Sequence, residues 1–398
     1  MIRKFYIDNF KSLIGFELNL TAFSCLVGLN GAGKSTVLQA LDFISHQMRG
    51  DIKGWLAERQ WKPGDIGSKL TAKKNIEISV TVESKDYGLI EWSASFNRQS
   101  LRCTAEEVFC GNVRLLKVED GEFFLNRGVK SVGWRQESQS IMFDYQGSIL
   151  SQIKDNRLEN ELQILKDSLA KIRSLDLISP EHLRQRTRDS AGHLGLGGQK
   201  LSAFLHEQGG DARQRLLEKL QTVYPQLASI DTRSLRSGWK HLDISERFSE
   251  KNIKTPARHV NDGMLRLLAV LSQLTDQEHF LLFDEIENGI NQELVEFLVD
   301  TLVASDQQIV VTTHSPVVLN FLEDEVAKQG VIYLYKTSSG ATQAIRLFEI
   351  PSLAEKLNLM GPGEVFLDTH LVELDKEIKV LKLLGVDLEG KDAFTAER

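Results

Sequence analysis

The chain has 398 residues, 41% of them hydrophobic and 26% charged, with a formal net charge of -7 and an isoelectric point near 5.8. That length supplies two or three packed units, and the acidic balance excludes a surface that coats nucleic acid indiscriminately, leaving room only for a local basic groove. Cys25, Cys103 and Cys110 form neither a disulfide framework nor a paired metal site, Met1-Ile-Arg-Lys-Phe lacks a signal core, and no apolar run spans a membrane. A soluble cytoplasmic protein with no membrane segment is expected.

Residues 2 to 8 are rich in strand formers, and Phe16 to Leu20 alternates after the turn at Asn9-Phe10-Lys11-Ser12. Phe23 to Val27 reads as a buried strand that enters Gly28-Leu-Asn30-Gly31-Ala-Gly33-Lys34-Ser35, a match to G-x-x-x-x-G-K-[ST], followed by the helical run from Thr36. In such a loop glycines turn consecutive N–H groups towards phosphate oxygens, and the helix presents its positive end to the same anion. Lys34 is expected on the β/γ-phosphates, Ser35 on Mg²⁺ and Thr36 near the α-phosphate.

Further along, Ile76 to Glu83 and Leu89 to Phe96 form a hairpin around Lys85-Asp86-Tyr87-Gly88, and Val113 to Val118 and Glu122 to Leu125 add short strands. An antiparallel β-lobe follows from these. Gln146-Gly147 closes it before residues 151 to about 224, where apolar positions recur at helical spacing. A helix over 151–175 would reach only about 38 Å, which excludes a long tether. Within this insertion Arg184, Arg186 and Arg188, with Arg213 and Arg215, form the densest basic patch, a candidate phosphate-backbone contact. Ala191 to Gly198 is too glycine-rich for a helix and reads as a mobile joint.

In the second half, Val260-Asn261-Asp262-Gly263 precedes an apolar helix and again sets a glycine turn at a helix start. His279 to Phe283 is an apolar strand that ends in Asp284-Glu285, carboxylates at the edge where α/β sheets bind ligands. Asp284 suits the Mg²⁺-holding role, and Glu285 suits a general base for water. Gln308 to Thr312 is a second buried strand, followed by Thr313-His314-Ser315-Pro316. Strands at Val331 to Lys336 and Ala344 to Leu347 come next. A helix from Val365 to Leu384 carries Leu367, Leu371, Leu374, Ile378 and Leu381 as a heptad-like stripe, and Gly390 to Arg398 reads as frayed.

The opening Ile-x-x-x-x-Ile-x-Asn-Phe-Lys-Ser, the phosphate loop, Glu287-Asn288-Gly289 after Asp284-Glu285, and Thr-Thr-His-Ser-Pro together resemble the ABC-class ATPase heads of RecF, SMC and OLD-like proteins. The resemblance implies that Lys11 lies close to the nucleotide, that Gln146 helps hold Mg²⁺, and that His314 contacts the γ-phosphate. It also implies a head-to-tail homodimer closing over two ATP molecules, in which Asn261, Asp262 and Gly263 serve the ATP of the opposite protomer. Asn261 stands where the family usually has serine, and Ile286 where proline is common. OLD nucleases continue into a Toprim domain with an Asp-x-Asp pair, and none follows His314 here.

The expected fold is α/β, an ABC-type head with a mostly parallel sheet, an antiparallel β-lobe and an inserted helical subdomain. Residues 1–150 are read as an N-terminal ATPase lobe, 151–237 as the insertion, 238–350 as the C-terminal lobe and 351–398 as a helical extension. The function implied is an ATP-hydrolysing, Mg²⁺-dependent sensor that regulates a separately encoded effector in prokaryotic antiphage defence, with residues 365–384 as a docking segment. Two alternatives stand beside it, a RecF-like clamp on duplex DNA and a non-hydrolysing scaffold.

Overall fold

A computed structural model describes residues 1–126, 138–176, 178–275 and 280–383. Expectations for His279, Leu384 and the end from Gly390 lie outside the described residues. The chain divides into two compact units, one of Met1–Ile172, Lys328–Leu359 and the chain from Thr369, the other of Arg173–Ala327 and Met360–Asp368. Among the described residues no helix is long and apolar enough to cross a membrane.

The first unit carries an eight-stranded antiparallel sheet, running spatially from Phe16–Asn19 through Ile2–Asp8 and then Asn75–Ser84, Gly88–Asn97, Arg102–Cys110, Val113–Glu119, Glu122–Leu125 and Ser138–Ser140. Its central strands alternate buried and exposed side chains, as a sheet with one packed face requires. The strand Phe23–Val27 is buried throughout and pairs in parallel with Val331–Lys336, which pairs antiparallel with Thr342–Arg346. The helix Lys34–Arg49 follows the loop and ends on Gly50 in the left-handed conformation. Its Phe43 ring meets Phe10, Trp55 and Phe96 at centroid distances of 5.1–5.5 Å. Asp42 on the same helix is buried yet satisfied, taking hydrogen bonds from Trp55 Nε1 and Arg59 Nη2.

Two helices differ from the sequence expectation. The helix expected over 151–175 is confined to Asn160–Ala170, preceded by short 3₁₀ turns and followed by the strand Ile172–Leu175. The Arg49 guanidinium holds this end, donating to the helix-end carbonyl of Ala170 at 2.6–2.8 Å and to Ile172 O, where the strand begins, at 2.7 Å. The helix expected over 365–384 is two, Pro362–Leu367 and Leu371–Leu383, and these belong to different units. Gly363 lets the first approach the backbone of Pro316, since a Cβ there would lie 2.1 Å from the carbonyl oxygen. Of the apolar stripe read as a docking face, Leu374 and Ile378 are buried within the chain, Leu371 and Leu381 are half-buried and Leu367 is 70% exposed, so the two helices do not present it as one continuous face.

The second unit places the parallel strands Phe280–Phe283 and Gln308–Thr312 side by side, in the register Phe283 to Val311, both fully buried. The helix Asp262–Gln273 is buried on nearly all sides from Met264 onwards, whereas Gln292–Val303 buries one apolar face. A meander of Leu227–Ser234, Lys240–Phe248 and Lys251–Pro256 completes the unit, where sequence reading had placed no sheet.

Beneath the Gln146 turn of the first unit, Glu106 is a fully buried carboxyl that accepts from Ser148 Oγ, Ile149 N and Trp92 Nε1 at 2.5–3.2 Å. Burial outweighs these donors and raises its pKa to about 7. Between the unfolded value of 4.5 and the folded value the native state holds more protons, so stability is lost as pH rises through that window. The stability difference between wild type and Glu106→Gln, followed by urea unfolding, is expected to narrow by about 3 kcal/mol from pH 5 to pH 8. A difference independent of pH would mean that the carboxylate stays ionised, held by its three donors.

Candidate nucleotide site

In the first unit the loop leaves its strand through Gly28 (φ 146°), Gly31 (φ 78°) and Gly33 (φ 113°), conformations in which side chains are strained. Asn30 and Gly31 are exposed at its apex. The Lys34 side chain is buried and folds back over the loop, donating to Gly28 O at 2.9 Å and Leu29 O at 3.2 Å. Ser35 and Thr36 open the helix, Ser35 being exposed. The loop's inner side is held by Thr342, a residue sequence reading did not single out. Its buried hydroxyl donates to Ala32 O at 2.8 Å and accepts from Lys336 Nζ at 3.0 Å. Burial lowers the Lys336 pKa.

Lys11, at φ 46°, sends its ammonium over the Trp61 ring, 3.3 Å from the centroid, and donates to Gln39 Oε1 at 2.8 Å on the helix behind the loop. Gln146 turns its Oε1 to the backbone N–H of Lys53 at 2.8 Å, so one lone pair of the expected metal ligand already serves a short helix.

In the second unit the strand Phe280–Phe283 delivers Asp284 and Glu285 to its C-terminal edge. Thr312, at the end of the neighbouring strand, clamps both, donating to Asp284 Oδ1 at 2.5 Å and accepting from Glu285 N at 2.8 Å. Glu285 sits at φ 48°, a left-handed conformation uncommon for a residue with a side chain. Its carboxylate is met by Asn288 Nδ2 at 3.1 Å and lies 3.8 Å from His314 Nε2. Glu287 accepts from the His314 backbone N–H at 3.0 Å, which ties the two turns together.

Asn261 caps the helix Asp262–Gln273, its Oδ1 accepting from Met264 N at 2.8 Å, which leaves its amide N–H groups as donors. A Cβ on Gly263 would lie 3.3 Å from Gly289 O, so this turn packs on the Glu287-Asn288-Gly289 turn. Arg266 lies against the same glycine, and burial lowers its pKa. Arg184 donates to Val260 O at 2.8 Å and forms an ion pair with Asp262. Its guanidinium is thus shared with that turn and does not stand free on the surface, as its reading as a nucleic-acid contact expected. Arg188 stacks over Trp239 at 5.3 Å, and Arg186 is exposed.

Among the described residues no three His, Cys, Asp or Glu side chains form a metal cluster. The Ser35 hydroxyl and the Gln146 amide of the first unit, and separately the Asp284 carboxylate of the second, are oxygen donors of the hard type that Mg²⁺ takes beside phosphate and water, so the chemistry of each fits that ion.

The first unit carries a glycine loop between a buried strand and a helix, and the second a carboxylate pair and a histidine at the ends of parallel strands, the motifs of a P-loop ATPase of the ABC class. The chain belongs to the family described as "AAA domain, putative AbiEii toxin, Type IV TA system", whose model matches residues 113–320. A second model, "AAA ATPase domain", matches residues 1–123. No curated protein matches the chain. Among solved structures it is similar to an Smc head bound to the C-terminal winged-helix domain of ScpA, with a TM-score of 0.55 at 14% identity, covering 86% of this chain and 96% of that one. It is likewise similar to an Smc head with an extended coiled coil bound to the C-terminal domain of ScpA derived from Pyrococcus furiosus, with a TM-score of 0.55 at 13% identity, covering 90% and 99%. These likenesses establish the fold, an α/β head of the ABC type.

Proposed function

We propose that this chain binds MgATP, hydrolyses it, and uses the cycle to close and open a homodimer that regulates a separately encoded effector. The observation that carries the hydrolytic reading is Glu285, held in a left-handed conformation beside His314 and Asn288. Strain of this kind persists where the surroundings over-determine it, and such residues cluster at reacting centres. In this reading Asn30, Gly31, Gly33, Lys34, Ser35 and Thr36 take the phosphates, with Lys11 nearby. Ser35, Gln146 and Asp284 hold Mg²⁺, which when bound neutralises phosphate charge. Glu285 takes a proton from water as its oxygen bonds to the γ-phosphorus and the bond to the ADP oxygen breaks, while His314 steadies the γ-phosphate. Asn261, Asp262 and Gly263 would serve the ATP of the second protomer.

A role in antiphage defence is supported by the toxin-system wording of the family description. The solved heads bound to ScpA offer a precedent for a protein partner. The duplex-DNA clamp loses support because Arg184 is engaged internally. Calorimetry with ATP and Mg²⁺, combined with light scattering for mass, tests the proposal. Wild type is expected to bind ATP and dimerise with it, and Lys34→Ala to bind at least about 100-fold more weakly and stay monomeric. Equal binding by Lys34→Ala would sink the assignment. ATP binding without turnover would favour the scaffold.

A further inference from the structure

The second unit contains a cavity of about 340 Å³ that the nucleotide reading does not use. Its wall brings together Arg184, Arg186, Arg258 and His241, with Leu242 and Ala257 as an apolar side, and no carboxylate lines it. Neither Arg186 nor Arg258 has a carboxylate partner among the described residues, whereas His241 is paired with the buried Asp243 at 2.9 Å and Arg184 with Asp262. Two arginines without a carboxylate partner thus line one concavity, Arg258 donating through Nε to His259 Nε2 at 3.0 Å and keeping its terminal N–H groups. Unneutralised arginines in a hollow favour a multiply charged oxyanion, and their planar forks match phosphate oxygens. The volume lies at the lower end for small-ligand sites and is too confined for a duplex.

We propose that this cavity binds a phosphorylated small molecule of nucleotide size, its phosphate on Arg186 and Arg258 and its less polar part against Leu242 and Ala257. Arg184 also holds Val260 O and Asp262, so a phosphate that draws this guanidinium inward competes with Asp262 for it. The ligand would thereby loosen the cap of the helix Asp262–Gln273. Any effect of this on ATP use rests on the reading of Asn261 to Gly263 given above.

Hydrogen exchange of the full chain with AMP, resolved by peptide, separates this cavity from the glycine loop. AMP is expected to protect 184–188 and 241–258, and the Arg186→Ala/Arg258→Ala double variant to need about tenfold more AMP for the same protection. The variant's melting temperature confirms that it is folded, both side chains being exposed. Protection confined to 28–36 would overturn the proposal without touching the ATP assignment. Protection of the cavity that survives in the double variant would overturn it as well. So would stronger protection by a duplex oligonucleotide than by AMP, which would make this face a nucleic-acid surface.

Discussion

Replacing Glu285 by glutamine is expected to lower ATP turnover by about 10²- to 10⁴-fold while leaving ATP affinity within a few-fold of wild type. The substitution keeps the side chain's shape and removes its ability to accept a proton. The Thr312 clamp acts on the Glu285 backbone N–H, so it survives the change, and the adjacent Asp284 keeps its own bond to the same hydroxyl. Loss of turnover with retained binding identifies a group that acts in the transition state alone. Single-turnover hydrolysis and equilibrium binding, measured on one preparation, separate these effects. If turnover were unchanged, Glu285 would be a structural residue and its left-handed conformation would need another cause. If affinity fell in parallel, the carboxylate would be part of the binding surface.

Gly28→Ala is expected to destabilise the first unit by about 3 kcal/mol or more. At φ 146° an alanine would be strained whatever space surrounds it, and the ideal Cβ would stand 2.3 Å from the backbone oxygen of Leu334. That oxygen belongs to the strand Val331–Lys336, which pairs in parallel with Phe23–Val27 through Tyr333 and Val27. Relief therefore requires the two buried strands to part, because a backbone atom cannot swing aside as a side chain can. Denaturant unfolding measures the effect directly. Gly31→Ala is the control, since it shares a positive φ of 78° but meets nothing within 4 Å. It should cost about 1 kcal/mol through backbone strain alone. Equal losses in the two variants would show that strain, and not the close approach to Leu334, dominates at Gly28.

The sequence by itself determined whatever depends on neighbours along the chain. The strand before the glycine loop and the helix after it are legible because apolar runs, glycines and a helix start follow one another within a few residues. The buried strands ending at Phe283 and Thr312 read equally well, being continuous hydrophobics bounded by polar turns. Alternation in Asn75–Ser84 and Gly88–Asn97 announced a sheet with one packed face. Tertiary structure alone decided what lies far apart in sequence. Thr342 reaches the loop from 310 residues away, and Arg184 reaches Val260 across 76. Neither carries a local pattern, because a single hydroxyl or guanidinium has no periodicity to read. Helix ends were misjudged for the same reason. Apolar spacing continues past Ala170, but the Arg49 guanidinium takes its carbonyl, and the stripe from Val365 is cut where the chain passes from one unit to the other. Side-chain periodicity records which face is apolar, while the partner that satisfies a terminal carbonyl or covers that face is fixed only when distant segments meet in three dimensions.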